Sequence, residues 1–198
     1  DEVISTPMTF VATTSTASML GATIRFADID ERTGLIDPTS VASLVSERTK
    51  VIAAVDYAGH PADYDALQPL ADSVGALTLD DAAHSVGGTY RGRPVGDLAD
   101  LTTFSFFPTK NLTTGEGGAV VAKDPRLAQR AHEFHFIGLV RDPERFTIAD
   151  EGPWHQEVHE FGLNYRLPDI ACALGLSQLR RLEVFKQRRA EITARYNE

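Results

Sequence analysis

The chain has 198 residues, 42% of them hydrophobic and 24% charged, which is enough apolar chain to bury a sizeable core. Its formal net charge of -9 argues against a nucleic-acid-binding protein, because such proteins need an excess of Lys and Arg. The single cysteine, Cys172, excludes an internal disulfide and predicts a reducing cytoplasm, and the absence of an apolar run of about 18 residues predicts no membrane span. Cys172 lies in an apolar helical pattern and is expected to be a small core residue.

The first two thirds of the chain alternate strand patterns with helix patterns. Short apolar runs predict strands at 2–5, 22–26, 51–55 and 76–79. Helices are predicted at 7–20, 38–45 and 61–74, and a short hairpin at 89–97. This alternation is typical of an α/β fold with a mostly parallel sheet flanked by helices.

The segment 101–122 carries the most informative pattern. A β-rich run stops at Pro108, Lys110 follows in a polar stretch, and a glycine cluster leads into the apolar run 119–122. We therefore predict a strand, a loop that holds Lys110, and a second strand. Because Lys110 is one of only four lysines and lies between two apolar runs, we expect partial desolvation, which favours the neutral amine that attacks carbonyls and forms Schiff bases. A solvated loop lysine is the alternative.

Two aspartates, Asp80 and Asp81, follow the apolar run 76–79. In open α/β sheets, ligands bind beyond the carboxyl ends of the strands. We expect one aspartate to point into such a site and the other to cap the next turn or face solvent. His84 lies three residues after Asp81 and shares its face if the turn is helical, although a purely structural histidine is the alternative.

The C-terminal third has a different pattern. Residues 135–162 are irregular, and about 168–196 are predicted to form one long helix, with apolar residues recurring every three positions from Leu176 to Phe185. His155 and His159 are spaced four apart, as in a metal pair on a helix. Gln156 stands where the zinc-protease pattern requires Glu, so no metal site is expected.

Three of these residues together indicate pyridoxal phosphate as a cofactor. A lysine on a loop can hold it as a Schiff base, and an aspartate at a strand end can keep its pyridine nitrogen protonated, so that the ring acts as an electron sink. Lys110 and Asp81 fit these two roles, and Ser105, five residues before the lysine, supplies a hydroxyl for the phosphate.

Four segments resemble the DegT/DnrJ/EryC1/StrS family of sugar aminotransferases, which are fold-type I pyridoxal-phosphate enzymes. These segments are PMTFVATTSTASMLGATIRFADID, VDYAGHPADYDAL, LDDAAHSVGGTYRGRPVGDLADLTTFSFFPTKNLTTGEGGAVV and GLNYRLPDIACALGLSQL. The resemblance implies a three-layer, aspartate-aminotransferase-like large domain over 1–166 and a helix over 167–198 that leads toward a small C-terminal domain. It also implies that a phosphate-binding loop precedes Asp1 and that the small domain follows Glu198.

The resemblance assigns roles within one subunit. Lys110 would form the Schiff base and shuttle a proton, and Asp81 would pair with the pyridine nitrogen. Phe10 would stack on the ring, His84 would contact it near the phenolic oxygen, and Ser105 would hydrogen-bond the phosphate.

The resemblance also implies a homodimer, in which Asn164 reaches the phosphate of the neighbouring subunit's cofactor and Arg166 helps to hold substrate. The expected substrates are a nucleotide-linked keto-sugar and glutamate as the amino donor. The segments FIGLVRDPERF and EGPWHQEVHEFGLNYRLPD further resemble the branch that aminates C4 of a UDP-linked 4-keto-6-deoxy-hexosamine. A non-catalytic relative with a regulatory or assembly role is the alternative, and the presence of Lys110, Asp81 and Ser105 together argues against it.

Overall fold

The computed structural model of the chain describes residues 1–149 and 151–198. The strands of these residues are β1 (Glu2–Ser5), β2 (Thr23–Phe26), β3 (Thr49–Val55), β4 (Leu77–Asp81), β5 (Thr89–Tyr90), β6 (Arg93–Pro94), β7 (Leu101–Ser105), β8 (Gly118–Ala122), β9 (Leu139–Val140) and β10 (Glu157–Val158). The α-helices are α1 (Ala12–Met19), α2 (Pro38–Leu44), α3 (Tyr64–Asp72), α4 (Pro125–His135), α5 (Asp169–Leu179) and α6 (Leu182–Tyr196).

The central sheet has six strands in the order β2-β1-β3-β4-β7-β8. Its first five strands are parallel, and only β8 runs antiparallel to its neighbour β7. The predicted α/β fold with a mostly parallel sheet is thereby confirmed. Because β4 and β7 are parallel neighbours, their carboxyl ends lie at the same edge, and Asp81 and Ser105 end there.

The core lies between the sheet and the helices α2 and α3. The apolar run of β3 contributes Ile52, β1 contributes Ile4, α2 contributes Val41 and α3 contributes Leu67, and each of these side chains is 0% exposed. Burying such side chains is the main favourable term in folding, at about 1.5–3 kcal/mol each. This packing fixes the strands whose ends form the site described below.

Aspartates define where several helices begin. The side chain of Asp37 accepts a hydrogen bond from Thr39 N at 2.9 Å at the start of α2, and that of Asp63 accepts from Ala66 N at 3.2 Å at the start of α3. The helix predicted over 7–20 begins later, at Ala12. The hydroxyl of Thr6 accepts a hydrogen bond from Met8 N at 3.2 Å, which holds the start of that stretch in a turn.

The prediction of one long helix over 168–196 was wrong. Helix α5 ends at Leu179 and α6 begins at Leu182. At the break, Arg181 N donates to Gln178 O, three residues back, at 3.0 Å, and Arg181 has φ -105° and ψ 0°, outside the helical region. A three-residue apolar repeat also drifts around a straight α-helix, which has 3.6 residues per turn, so it does not define a single buried face.

Most side chains of helix α5 are not buried by the described part of the chain. Ala171 is its one buried residue, and Ile170 is 87% exposed. Cys172 is therefore half-buried rather than the core residue that was predicted.

Smaller elements complete the fold. The predicted hairpin is confirmed as the antiparallel pair β5–β6, and a second antiparallel pair, β9–β10, lies in the stretch predicted to be irregular.

Within residues 1–149 and 151–198, no helix combines the length and the apolarity needed to cross a bilayer.

We expect Asp100→Ala to destabilise the protein by about 1–3 kcal/mol, because the buried Thr78 N–H would lose its partner. The carboxylate of Asp100 accepts from Thr78 N at 2.8 Å and from Gln68 Nε2 at 3.1 Å. Denaturant unfolding would measure the loss. The exposed Asp97 lies in the same connection, and Asp97→Ala should change stability by less than about 0.5 kcal/mol. Equal effects of the two substitutions would contradict the prediction.

Candidate active site

A cavity of about 650 Å³ opens at the carboxyl edge of the sheet, beside the ends of β4 and β7. It is lined by five residues predicted from the sequence to bind a cofactor: Phe10, Asp81, His84, Ser105 and Lys110. These residues come from the segment before α1, from β4 and the turn after it, from β7, and from the loop between β7 and β8. The fold thus brings together side chains that are up to 100 residues apart in sequence.

Strand alternation decides which of the two aspartates faces the cavity. Successive side chains of a strand point to opposite faces of the sheet. Leu79 and Asp81 line the cavity, whereas Thr78 and Asp80 are buried on the other face. The expectation that one aspartate points into the site is met by Asp81. The expectation that the other caps a turn or faces solvent was wrong, because Asp80 is 0% exposed.

The carboxylate of Asp81 is held by a hydroxyl that sequence reasoning did not identify. Thr13 Oγ1 in α1 donates to Asp81 Oδ2 at 2.6 Å, and Thr9 Oγ1 lies 2.7 Å from Thr13 Oγ1. Ala83 N donates to the other carboxylate oxygen at 3.2 Å. The hydroxyl-rich run of α1 was visible in the sequence, but nothing in it showed which hydroxyl meets a strand 68 residues away.

Lys110 lies on the predicted loop between β7 and β8, and its side chain is half-buried. The loop is closed by hydrogen bonds from Lys110 N to Phe107 O at 3.0 Å and from Phe106 N to Gly117 O at 2.8 Å. Gly117 has φ +150°, and a Cβ there would lie 2.5 Å from Thr114 Oγ1, so this turn requires glycine. Glycines therefore serve as the strand-to-strand turn that the sequence predicted.

The loop with Lys110 is tied to the turn with His84. Asn111 Nδ2 donates to the backbone oxygen of His84 at 2.9 Å. Burial lowers the pKa of His84, the charge of Lys110 lowers it further, and the charge of Asp81 opposes both. His84 therefore interacts electrostatically with both Lys110 and Asp81, and its lowered pKa favours the neutral imidazole at neutral pH.

Ser105 and Phe10 complete the cavity. Ser105 is the last residue of β7, and its hydroxyl accepts a long hydrogen bond from Phe107 N at 3.4 Å, which leaves the O–H available to donate. The ring of Phe10 is 75% exposed and lies beside α1. An aromatic ring in this position offers a flat face against which a planar ligand can stack.

Asn164 and Arg166 lie outside this cavity. Both side chains are exposed, and Arg166 Nε donates to Asn164 Oδ1 at 2.7 Å. The guanidinium of Arg166 also lies 4.8 Å from the ring centre of Phe136. Their assignment to a neighbouring subunit stays a prediction.

His155 and His159 flank the short strand β10 and do not share a helix. Both contact the carboxylate of Glu157, His159 Nε2 at 2.5 Å and His155 Nε2 at 3.5 Å. Glu157 also accepts from the backbone N–H of Thr147 and of Ile148, which helps to lower its pKa despite some desolvation. In the described ranges, no group of three acidic, histidine or cysteine side chains is placed to bind a metal ion.

The donor set of the cavity fits pyridoxal phosphate. A half-buried primary amine suits an aldehyde, and a carboxylate suits a protonated pyridine nitrogen. A hydroxyl donor suits a phosphate oxygen, and an exposed ring suits an aromatic face. Lys110, Asp81, Ser105 and Phe10 supply these groups around one cavity.

Comparison with known proteins gives relatives that match nearly the whole chain. The Bacillus subtilis spore coat polysaccharide biosynthesis protein SpsC is 42% identical over 99% of this chain and 50% of its own length. The UDP-4-amino-4,6-dideoxy-N-acetyl-beta-L-altrosamine transaminase of Campylobacter jejuni is 37% identical over 98% of this chain and 50% of its own. Among solved structures, Streptococcus pneumoniae Spr1654 in its PMP-form matches with a TM-score of 0.89 and 32% identity, over 100% of this chain and 54% of that one.

The chain thus spans about half the length of the curated relatives that it matches. The model of the DegT/DnrJ/EryC1/StrS aminotransferase family matches residues 1–198. The chain belongs to the DegT/DnrJ/EryC1/StrS aminotransferase family.

Proposed function

We propose that the protein is a pyridoxal-phosphate-dependent aminotransferase that converts a nucleotide-linked keto-sugar to an amino sugar, with glutamate as the amino donor. The observation that carries this proposal is that Lys110, on the loop after β7, and Asp81, at the end of β4, line the same cavity. A non-catalytic relative is not favoured, because it would have no need of an amine and a carboxylate kept together in this way.

The side chains of the cavity have distinct tasks in this reaction. When bound, the cofactor supplies an electron sink that stabilises negative charge on the carbon next to the reacting nitrogen. Asp81 keeps the pyridine nitrogen protonated, and Thr13 holds the carboxylate of Asp81 in place. Lys110 Nζ would hold the cofactor through its aldehyde and, when free, would take the proton from the donor's α-carbon as general base.

The remaining assignments rest on the family and its relatives. The relative from Campylobacter jejuni is a UDP-4-amino-4,6-dideoxy-N-acetyl-beta-L-altrosamine transaminase, which supports a UDP-linked 4-keto-6-deoxy-hexosamine as substrate. A solved PLP-form of Spr1654 supports the cofactor. We further propose a cytoplasmic homodimer in which Asn164 and Arg166 reach the neighbouring subunit's site. Residues 1–166 belong to the large domain in this proposal, and 167–198 lead toward the small one.

Amine transfer is tested with the full-length protein. Purified protein, pyridoxal phosphate, glutamate and a UDP-4-keto-6-deoxy-hexosamine should give 2-oxoglutarate and an amino sugar in equal amounts. Omission of the sugar should limit 2-oxoglutarate to about one equivalent per active site. Failure of every nucleotide keto-sugar tried, with the cofactor bound, would contradict the substrate class.

We expect Thr13→Val to weaken cofactor-dependent activity by about 10- to 150-fold, because a hydrogen bond to a charged group contributes about 1.5–3 kcal/mol. Valine keeps the shape of threonine but cannot donate to Asp81 Oδ2. Steady-state kinetics and cofactor titration would measure the loss. The hydroxyl of Thr14 donates only to Val11 O within its own turn, so Thr14→Val is the matched control. Equal activity of the Thr13 and Thr14 variants would contradict this role.

A further inference from the structure

A pair of buried carboxyl groups lies directly behind the site. Asp80 precedes Asp81 in β4 and points to the opposite face of the sheet, and Asp56 follows the neighbouring strand β3. Both side chains are 0% exposed. Asp80 pairs with Ala54 of β3, two residues before Asp56, so the two carboxyl groups lie on the same face of neighbouring strands. Two ionised carboxylates buried close together are strongly unfavourable, so such a pair normally shares one proton.

The hydrogen bonds show which member of the pair is stabilised as an anion. Asp56 accepts from Ala62 N at 3.0 Å, from Ser85 Oγ at 2.6 Å and from the Tyr64 hydroxyl at 3.4 Å. In the described part of the chain, neither carboxylate oxygen of Asp80 has a hydrogen-bond partner. An ionised carboxylate without donors costs several kcal/mol when buried, whereas a protonated one can donate to a neighbouring carboxylate.

The electrostatics agree with this division. Burial, together with the charge of Asp56, raises the pKa of Asp80 to about 8. Burial also raises the pKa of Asp56, but the hydrogen bonds from Ser85, Ala62 and Tyr64 oppose that shift. The titratable groups that act most on Asp80 are Asp56, just after β3, Tyr64 from α3 and Asp81 from β4 itself. No described arginine or lysine pairs with either carboxyl.

We propose that Asp80 is a neutral carboxylic acid in the working protein, that it shares its proton with ionised Asp56, and that it is a positioning residue for Asp81. A second negative charge one residue away would repel the carboxylate of Asp81. The neutral acid removes that charge from beside the carboxylate that faces the cavity. The protonation of Asp80 does not depend on the proposed function. Only its consequence for the cofactor rests on the proposed function.

The test uses full-length protein without cofactor, so a failure of cofactor binding leaves it unaffected. Aspartate carboxyl carbons are labelled with ¹³C, and their NMR signals are followed from pH 4 to pH 10. Asp80→Asn and Asp81→Asn assign the two signals by their loss, and Asp97→Asn, at an exposed aspartate, controls for the substitution itself. We expect the Asp80 signal to keep its protonated position through pH 7 and to titrate near pH 8.

The signal of Asp81 tests the coupling. In the wild-type protein it should shift with the same midpoint as that of Asp80, because ionisation of Asp80 adds a charge beside it. In Asp80→Asn, which keeps a neutral group there at all pH values, this shift should disappear. If Asp80→Asn does not fold, Tyr64→Phe serves instead. The Tyr64 hydroxyl donates to Asp56 Oδ1 and so stabilises the ionised form of the pair, and its removal should move the midpoint upward. The inference would be overturned if the Asp80 signal already had its ionised position at pH 6. It would also be overturned if the Asp81 signal did not shift when Asp80 ionises.

Discussion

Replacing Lys110 by alanine is expected to abolish turnover, with a loss of at least about 10³-fold in kcat. General acid–base catalysis by a positioned group contributes about 10²–10⁴-fold by itself, and this lysine is also the proposed covalent anchor of the cofactor. Lys110 lines the cavity on a loop fixed by the turn at Gly117, so no other described lysine can take its place. The measurement is the steady-state rate of 2-oxoglutarate formation with the cofactor in excess.

The control for this variant is Lys50→Ala. Lys50 is exposed in β3 and does not line the cavity, so its removal should leave the rate unchanged. A small amine such as methylamine, added to Lys110→Ala, should restore part of the activity if the missing function is proton transfer. Normal turnover by Lys110→Ala would contradict the mechanism.

Replacing Asp81 by asparagine is expected to leave cofactor binding measurable but to lower kcat by about 10²–10³-fold. Asparagine has nearly the same shape and can still accept the hydrogen bond from Thr13 Oγ1, but it carries no charge. It therefore cannot keep the pyridine nitrogen protonated, and electrostatic stabilisation of the developing carbanion is lost. Cofactor titration and single-turnover kinetics with glutamate would separate binding from chemistry.

Two comparisons sharpen the Asp81 experiment. Asp97→Asn, at an exposed aspartate, should retain full activity. Asp81→Glu restores the charge but moves it by one methylene, so it should recover part of the lost activity at most. Full activity of Asp81→Asn would mean that another group protonates the ring and that the role given to Asp81 is wrong.

Most of the fold could be predicted because local pattern and tertiary packing agree. The apolar run of β3 is buried as its composition predicts, and the glycines after Lys110 form the turn that their position indicates. Asp81 could be placed in a site because the carboxyl ends of parallel strands are where α/β proteins bind ligands. The rule applies to the strand end as a whole, so it selected the pair Asp80–Asp81 but not the member that faces the cavity.

The features that the sequence did not predict depend on long-range contacts or lack a local signal. The aspartate that does not face the cavity was expected to cap the next turn or face solvent, because a single sequence does not show that Asp56 and Tyr64 lie near Asp80. The contact of Thr13 with Asp81 joins residues 68 apart. The break between α5 and α6 at Arg181 was missed, because the sequence there contains neither Gly nor Pro, the usual signals that end a helix.

The most direct test of the central claim is to find which lysine binds the cofactor. Full-length protein is mixed with pyridoxal phosphate, the yellow absorbance is recorded, and the adduct is reduced with borohydride and mapped by peptide mass spectrometry. The account predicts a single modified lysine, Lys110, and loss of both the absorbance and the modified peptide in Lys110→Ala. No absorbance, or modification spread over Lys50, Lys123 and Lys186, would contradict it.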